Sequence, residues 1–190
     1  MQWDVLIPVV ILVVLVVALV LYLWVTRTAL VGLSKRIDEA WRDIEAERSR
    51  RAELVPVLVT KVQGYASHDK VVFDAVARAQ AEGSGATTPE TATVAENHLQ
   101  QSLRGVLGAA ETYPQLAASP DFLQLQADLA ASEERIRASR RFYNGAVREF
   151  NAKIQVFPNN VFARRLGFTR RDFFEVADSA GVAEPPRVQF

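Results

Sequence analysis

The chain has no cysteine, only two histidines and a single methionine, Met1. These scarcities argue against a soft-metal centre or a redox site. The absence of disulfides fits a reducing compartment without requiring one. Neither sign of charge is in excess, since 22 basic and 22 acidic residues leave a formal net charge of zero. A generally nucleic-acid-binding surface is therefore not expected. Glycine and proline are few and stand at punctuation points. Motifs that carry chemistry are missing too. Gly83-Ser84-Gly85 lacks both the spacing and the Lys-Ser/Thr ending of a phosphate loop. Ser84 is not in a Gly-x-Ser-x-Gly elbow and reads as a linker serine. His68 and His98 are far apart, with no HExxH pattern near either, and read as surface histidines. Glu96 and Glu133-Glu134 could serve a di-metal bundle site, but such sites want Glu-x-x-His pairs. Leu99 follows Glu96 at that spacing, and Arg137 follows Glu134. No catalytic residue, metal, cofactor or small-molecule substrate is expected, and the chain reads as non-enzymatic.

What is present is a long apolar run. From Val5 to Val25 no residue is charged, and most are Val, Leu or Ile. At 1.5 Å per residue such a helix reaches roughly 31 Å, about the hydrocarbon thickness of a bilayer. In lipid the backbone must satisfy its own hydrogen bonds, and for a single span only a helix does so. Pro8 falls in the first turn, where its missing N–H costs nothing. Trp3 at one end, and Tyr22 and Trp24 at the other, suit the two interfaces. A cleaved signal peptide would need a basic n-region and a small-residue cleavage site. Asp4 precedes the run and Trp24-Val25-Thr26-Arg27 closes it, so we read an uncleaved anchor. Arg27, Lys35, Arg36 and Arg42 all follow the span. The positive-inside rule then puts residues 1–4 outside, 5–25 in the membrane and the bulk of the chain, 26–176, in the cytoplasm of the cell. Residues 177–190, with Pro185-Pro186, read as a disordered tail.

The soluble part reads as helices. Leu33, Ile37, Trp41 and Ile44 recur at helical spacing, opposite charges of alternating sign that suit a solvated face better than a docking face. Pro56 interrupts this pattern, yet Leu54, Val55, Leu58, Val59, Val62 and Tyr65 keep the period across it. The spacing predicts a kinked helical segment from about Thr28 to Ala81, loosened at Gly64 and Ala66–Asp69. Glu82–Pro89 reads as a loop. Thr88 caps the next helix, with Pro89 at its first position and Glu90 in its first turn, and that helix runs to about Ala110. Pro114 marks a turn.

Ser119-Pro120-Asp121 opens the longest helix, which runs to about Phe157, where Pro158 ends it. Its apolar stripe includes Phe122, Leu125, Leu129, Ile136, Tyr143, Val147, Phe150, Ile154 and Phe157. Ser132 and Ser139 occupy core-like positions. A rod of roughly 57 Å is unstable alone and needs partner helices. The expected fold is all-α: a transmembrane helix, then a long antiparallel bundle of about four helices. Tyr143-Asn144 and Phe150-Asn151 stand seven residues apart on similar faces. A buried Asn must find partners and so fixes register, which we favour over a binding role for these amides. After Pro158, a short helix Val161–Leu166 and Gly167 lead into Phe168, Phe173 and Phe174, interleaved with Arg164, Arg165, Arg170 and Arg171. This stretch is the best surface candidate for the anionic inner membrane face. Against that, the Phe residues can cap the bundle core, and Asp172 and Glu175 dilute the charge.

Several blocks in order resemble the LemA family of bacterial membrane proteins. They are Ile37-Asp38-Glu39-Ala40-Trp41, Arg50-Arg51 with Leu54-Val55-Pro56, Gly64-Tyr65-Ala66 and Ala110-Glu111-Thr112-Tyr113-Pro114. Phe122-Leu123-Gln124-Leu125-Gln126 follows, then the Tyr143–Asn151 block, Phe157-Pro158-Asn159-Asn160 and Gly167-Phe168. The resemblance implies an N-terminal membrane helix and a cytoplasmic helical bundle. It implies no enzyme, because the family's biochemical role is not established. The chain departs from the family at Ala52, where Tyr is frequent, Val57, where Asn is frequent, and Phe150, where Tyr is frequent. These departures weaken the case for a functional polar constellation around Pro56 or Phe150.

Two functions follow as expectations. One is an interaction, scaffold or regulatory module that holds a protein partner or a second copy of itself at the inner face of the membrane. The other is a self-assembling protein that remodels or senses the lipid surface.

Overall fold

The structure, a computed structural model, describes residues 3–66 and 69–176. It is all-α, with six helices and no strand among the described residues: α1 Trp3–Gln63, α2 Lys70–Gly85, α3 Pro89–Glu111, α4 Pro114–Ala117, α5 Pro120–Gln155 and α6 Asn159–Ala163. His68 and the tail 177–190 lie outside the described residues. Packing divides the chain into two compact units, one of residues 1–42 and 142–171, the other of 43–141 and 172–190.

In the first unit the apolar run is the opening stretch of α1. From Val9 onward this stretch is long and apolar enough to cross a membrane, and no residue of its apolar window is buried inside the chain. A contiguous apolar surface of that extent is not stable in water and marks a lipid or protein contact. Beyond it, Leu30, Leu33, Ile37 and Ala40 of α1 are buried with Tyr143, Val147, Phe150 and Ile154 of α5. The pairing is antiparallel: Trp41 packs against Tyr143 with ring centroids 5.5 Å apart and planes tilted by 54°, while Tyr22, earlier in α1, reaches Asn159, beyond α5.

The second unit has its own core. Val55, Leu58 and Val62 of α1 meet Phe73, Val76 and Ala79 of α2, Leu99, Leu103 and Val106 of α3, and Phe122, Leu125 and Leu129 of α5. Here too α1 and α5 run antiparallel, since Arg51 pairs with Glu133 and Lys61 with Asp121. The short connection Ala86–Thr88 folds α3 back on α2.

Local sequence explains most boundaries. Thr88 and Thr91 form a reciprocal capping box at the start of α3, with Pro89 in its first turn. The Ser119 hydroxyl accepts from the Phe122 amide at 3.3 Å and caps α5. Pro56 lies inside α1 without ending it. Proline has no N–H, so the carbonyl of Ala52 loses its helical donor. Gln80 of α2 supplies a replacement: its Nε2 donates to the Ala52 oxygen at 3.2 Å. Several boundaries differ from the sequence expectation, among them α6, which spans Asn159–Ala163 rather than Val161–Leu166. The first soluble segment is two helices, because α1 stops at Gln63 and a turn at Gly64-Tyr65 follows. The expected loop at Glu82 is still helix, and α2 continues to Gly85. At the other end α5 stops at Gln155, so Phe157 stands beyond the helix and is exposed rather than in the stripe.

Candidate functional site

In the second unit, charged side chains enter the core. Arg51 sits one helical stripe position between Ile44 and Leu58 and is 1% exposed. Its two terminal nitrogens each reach a carboxylate at 2.5 Å: Nη2 donates to Glu96 of α3 and Nη1 to Glu133 of α5. Glu96 is equally buried, and its other oxygen accepts from Arg48 Nε at 2.8 Å. Arg48 also donates to the Gly83 carbonyl at 3.2 Å. Burial alone would pull the Arg51 pKa down; Glu96 and Glu133, by charge and hydrogen bonding, outweigh it and raise the value. Arg51 therefore stays charged at any physiological pH and clamps α1, α3 and α5 together. Its Nε is buried without a partner. Among the described residues, no group of His, Asp or Glu side chains has a metal-binding arrangement.

Two clefts flank this cluster. One, of about 490 Å³, lies on the Arg48–Glu96 side with Gln80, Ser84 and Thr87 on its wall. The other, of about 380 Å³, runs between α3 and α5. Its floor is Leu58, Leu103 and Leu129, with Leu107 beside them, and its rim carries Arg104, Arg137 and Glu133. An apolar floor with a charged rim is the form of groove that accepts an amphipathic helix.

In the first unit, Asn151 is buried and binds backbone on both sides of its amide. Nδ2 donates to the Arg171 carbonyl at 2.8 Å, and Oδ1 accepts from the Arg171 amide at 2.9 Å. The Arg171 side chain separately reaches Ser34 and Asp38 at 3.1 Å. Gly167, with φ +82°, turns the chain toward this clip. The Phe168 amide bonds the Ala163 carbonyl and the Gly167 amide that of Arg164, a Schellman motif that needs the left-handed residue glycine tolerates. Phe168 then meets Phe150 edge-on, with centroids 6.1 Å apart.

The sequence candidates are thus dispersed. Trp41 and Tyr143 pack together, Tyr143 and Phe150 are buried, Asn151 is clipped to Arg171, and Asn144 is half-buried. Pro56 is exposed, and Pro158 follows a cis peptide after Phe157. Of the aromatic–basic stretch, Arg164, Arg165, Arg170 and Arg171 are exposed, Phe168 and Phe173 are half-buried, and Phe174 is fully buried. The Arg51–Glu96–Glu133 cluster was not foreseen. Its signal was there: Arg51 and Glu96 each occupy a core position in an otherwise apolar stripe. His98 pairs with Glu82 at 2.6 Å on the surface.

A sequence model of the LemA family matches residues 40–190. The match begins behind the apolar run and takes in the later part of α1 and all of α2 to α6. A curated relative, Protein LemA of Metamycoplasma hominis, is 28% identical over 134 residues, covering 70% of this chain and 61% of its own length. The chain therefore spans about 61% of the curated relative it matches.

Proposed function

The chain belongs to the LemA family, and from that premise we propose that it is a non-enzymatic, membrane-anchored docking module. In this reading the apolar part of α1 spans the cell membrane, residues 1–4 lie outside, and residues 26–176 lie on the cytoplasmic side. The observation that carries the docking role is the groove between α3 and α5. Leu103, Leu107 and Leu129 offer an apolar seat, and Arg104 offers a positive charge on the rim, where Arg137 is paired with Glu134. The matching occupant is an amphipathic helix with apolar anchors and acidic flanks, from a partner protein or a second copy. Arg104 has no ion-pair partner among the described residues, so its charge remains available for such a contact. The orientation is supported by Arg27, Lys35, Arg36 and Arg42, all on one side of the span.

The test is gentle detergent extraction of the full chain from native membranes, followed by mass measurement of the complex. Leu107→Glu and Arg104→Glu, both at the groove, should release the partner or second copy while helicity is unchanged. A bare monomer from wild-type membranes, or retention by both variants, refutes the docking role.

A further inference from the structure

The corner after α5 exposes apolar side chains that the first unit leaves uncovered. Phe157 is 77% exposed, and Val156, Val161 and Leu166 are exposed as well. A hydrogen bond fixes where this corner sits. Tyr22 Oη donates to Asn159 Oδ1 at 2.9 Å, and Tyr22 belongs to the last turn of the apolar run. Beside it a cleft of about 190 Å³ is walled by Leu23, Trp24 and Arg27 of α1 and by Phe162, Arg165 and Leu166. Its surface is nearly all apolar, so Arg27 and Arg165 line it with their aliphatic stems. Arg27 and Arg165 have no carboxylate partner among the described residues, and Arg164, exposed, precedes Arg165 in the chain.

We propose that this corner is a phospholipid-binding site: Val156, Phe157 and Val161 enter the interface of the leaflet into which α1 emerges, and Arg27 and Arg165 hold the phosphate of an anionic lipid. The proposal rests on the membrane-anchor reading above. The occupant follows from chemistry. The tyrosine that ties the corner down stands in the span itself, so the surface beside it meets lipid before any soluble partner. Aromatic and aliphatic groups suit the glycerol and upper acyl region, and paired arginines suit a phosphate. A cleft of this size holds part of one lipid rather than a folded protein.

Because the chain lacks cysteine, single cysteines can carry a spin label. The full chain is placed in bilayer discs with or without about a third anionic phosphatidylglycerol, a fraction at which surface charge is felt by basic residues. Label depth is read from collision with oxygen and with a water-soluble nickel chelate. Val14→Cys reports the span, Val71→Cys a distant exposed site, and Phe157→Cys and Val161→Cys the corner. The expected result is lipid depth at 14, interfacial depth at 157 and 161, and water at 71. Lipid at 14 with water at 157 and 161 overturns the corner alone; water at 14 overturns the anchor with it. Native mass spectrometry then counts retained anionic lipid. A basic residue near an anionic surface changes binding about fivefold, so Arg27→Gln with Arg165→Gln should lower retention by roughly tenfold or more. Equal retention by wild type and the double variant overturns the arginine site.

Discussion

Arg51 offers the sharpest test of the fold. Replacing it with Met removes one guanidinium and leaves Glu96 facing a volume that excludes water and Glu133 at its partly exposed edge. Glu96 keeps Arg48, at 2.8 Å, whereas Glu133 keeps only a 3.5 Å contact from Gln100 and partial solvent access. Breaking a buried pair by removing one partner costs about 3–5 kcal/mol, because the remaining charge stays desolvated. For a domain of this size each kcal/mol moves the melting temperature by about 2–4 °C, so a fall of roughly 6–20 °C is expected. Arg51→Lys keeps the charge but not the fork that spans two carboxylates, and should lose less. The decisive measurement is a double-mutant cycle with Glu96→Gln, followed by circular dichroism during thermal and urea unfolding in mild detergent. Removing both charges should cost clearly less than the sum of the single changes, with a coupling above about 1.5 kcal/mol. If Arg51→Met melts within a degree or two of wild type, or if the two changes simply add, the clamp is not holding α1, α3 and α5 together.

Gln80→Ala should cost about 0.5–1 kcal/mol by removing the side-chain donor to the exposed Ala52 carbonyl, and adding Pro56→Ala should restore stability, since the amide returns as the helical donor; urea midpoints of the two variants check both steps. Asn151→Ala removes two hydrogen bonds to Arg171 and should cost roughly 2–3 kcal/mol, with faster hydrogen exchange at the Arg171 amide as its local signature. Thr88→Ala opens the α3 capping box and should lose about 1 kcal/mol, against a few tenths for Thr88→Gly, read from the same unfolding curves.

Much of this architecture was visible in the residue pattern. The apolar run, the Thr88-Pro89 and Ser119-Pro120 helix starts and the long α5 all follow from local chemistry acting within a few residues. Asn151 was visible as a stripe residue that would need partners, though not as a clip for the backbone of Arg171. Charges in the core were harder to see. Arg50 and Arg51 are adjacent, and alternating signs along α1 suggest a solvated face, but only helix phase separates them. Arg50 points to solvent and pairs with Glu47, while Arg51 lies in line with Ile44 and Leu58. Its partners come from α3 and α5, so no local rule could supply them. Phe157 misled in the opposite way. It continues the apolar period of α5, but Pro158 biases the residue before it away from helix, so the period outlasts the element. The break at Gln63 was also unreadable by period alone, because Phe73 and Val76 carry the stripe on in a separate helix.

The Asn151 clip has an evolutionary corollary. Its partner is the peptide backbone at 171, not the arginine that happens to be there. Any non-proline residue can present the same N–H and C=O, whereas few side chains besides Asn offer a donor and an acceptor at that reach. The two positions should therefore drift at very different rates. Descendants of this sequence can exchange Arg171, losing only surface contacts to Ser34 and Asp38. They cannot exchange Asn151 without releasing the strand of chain it holds.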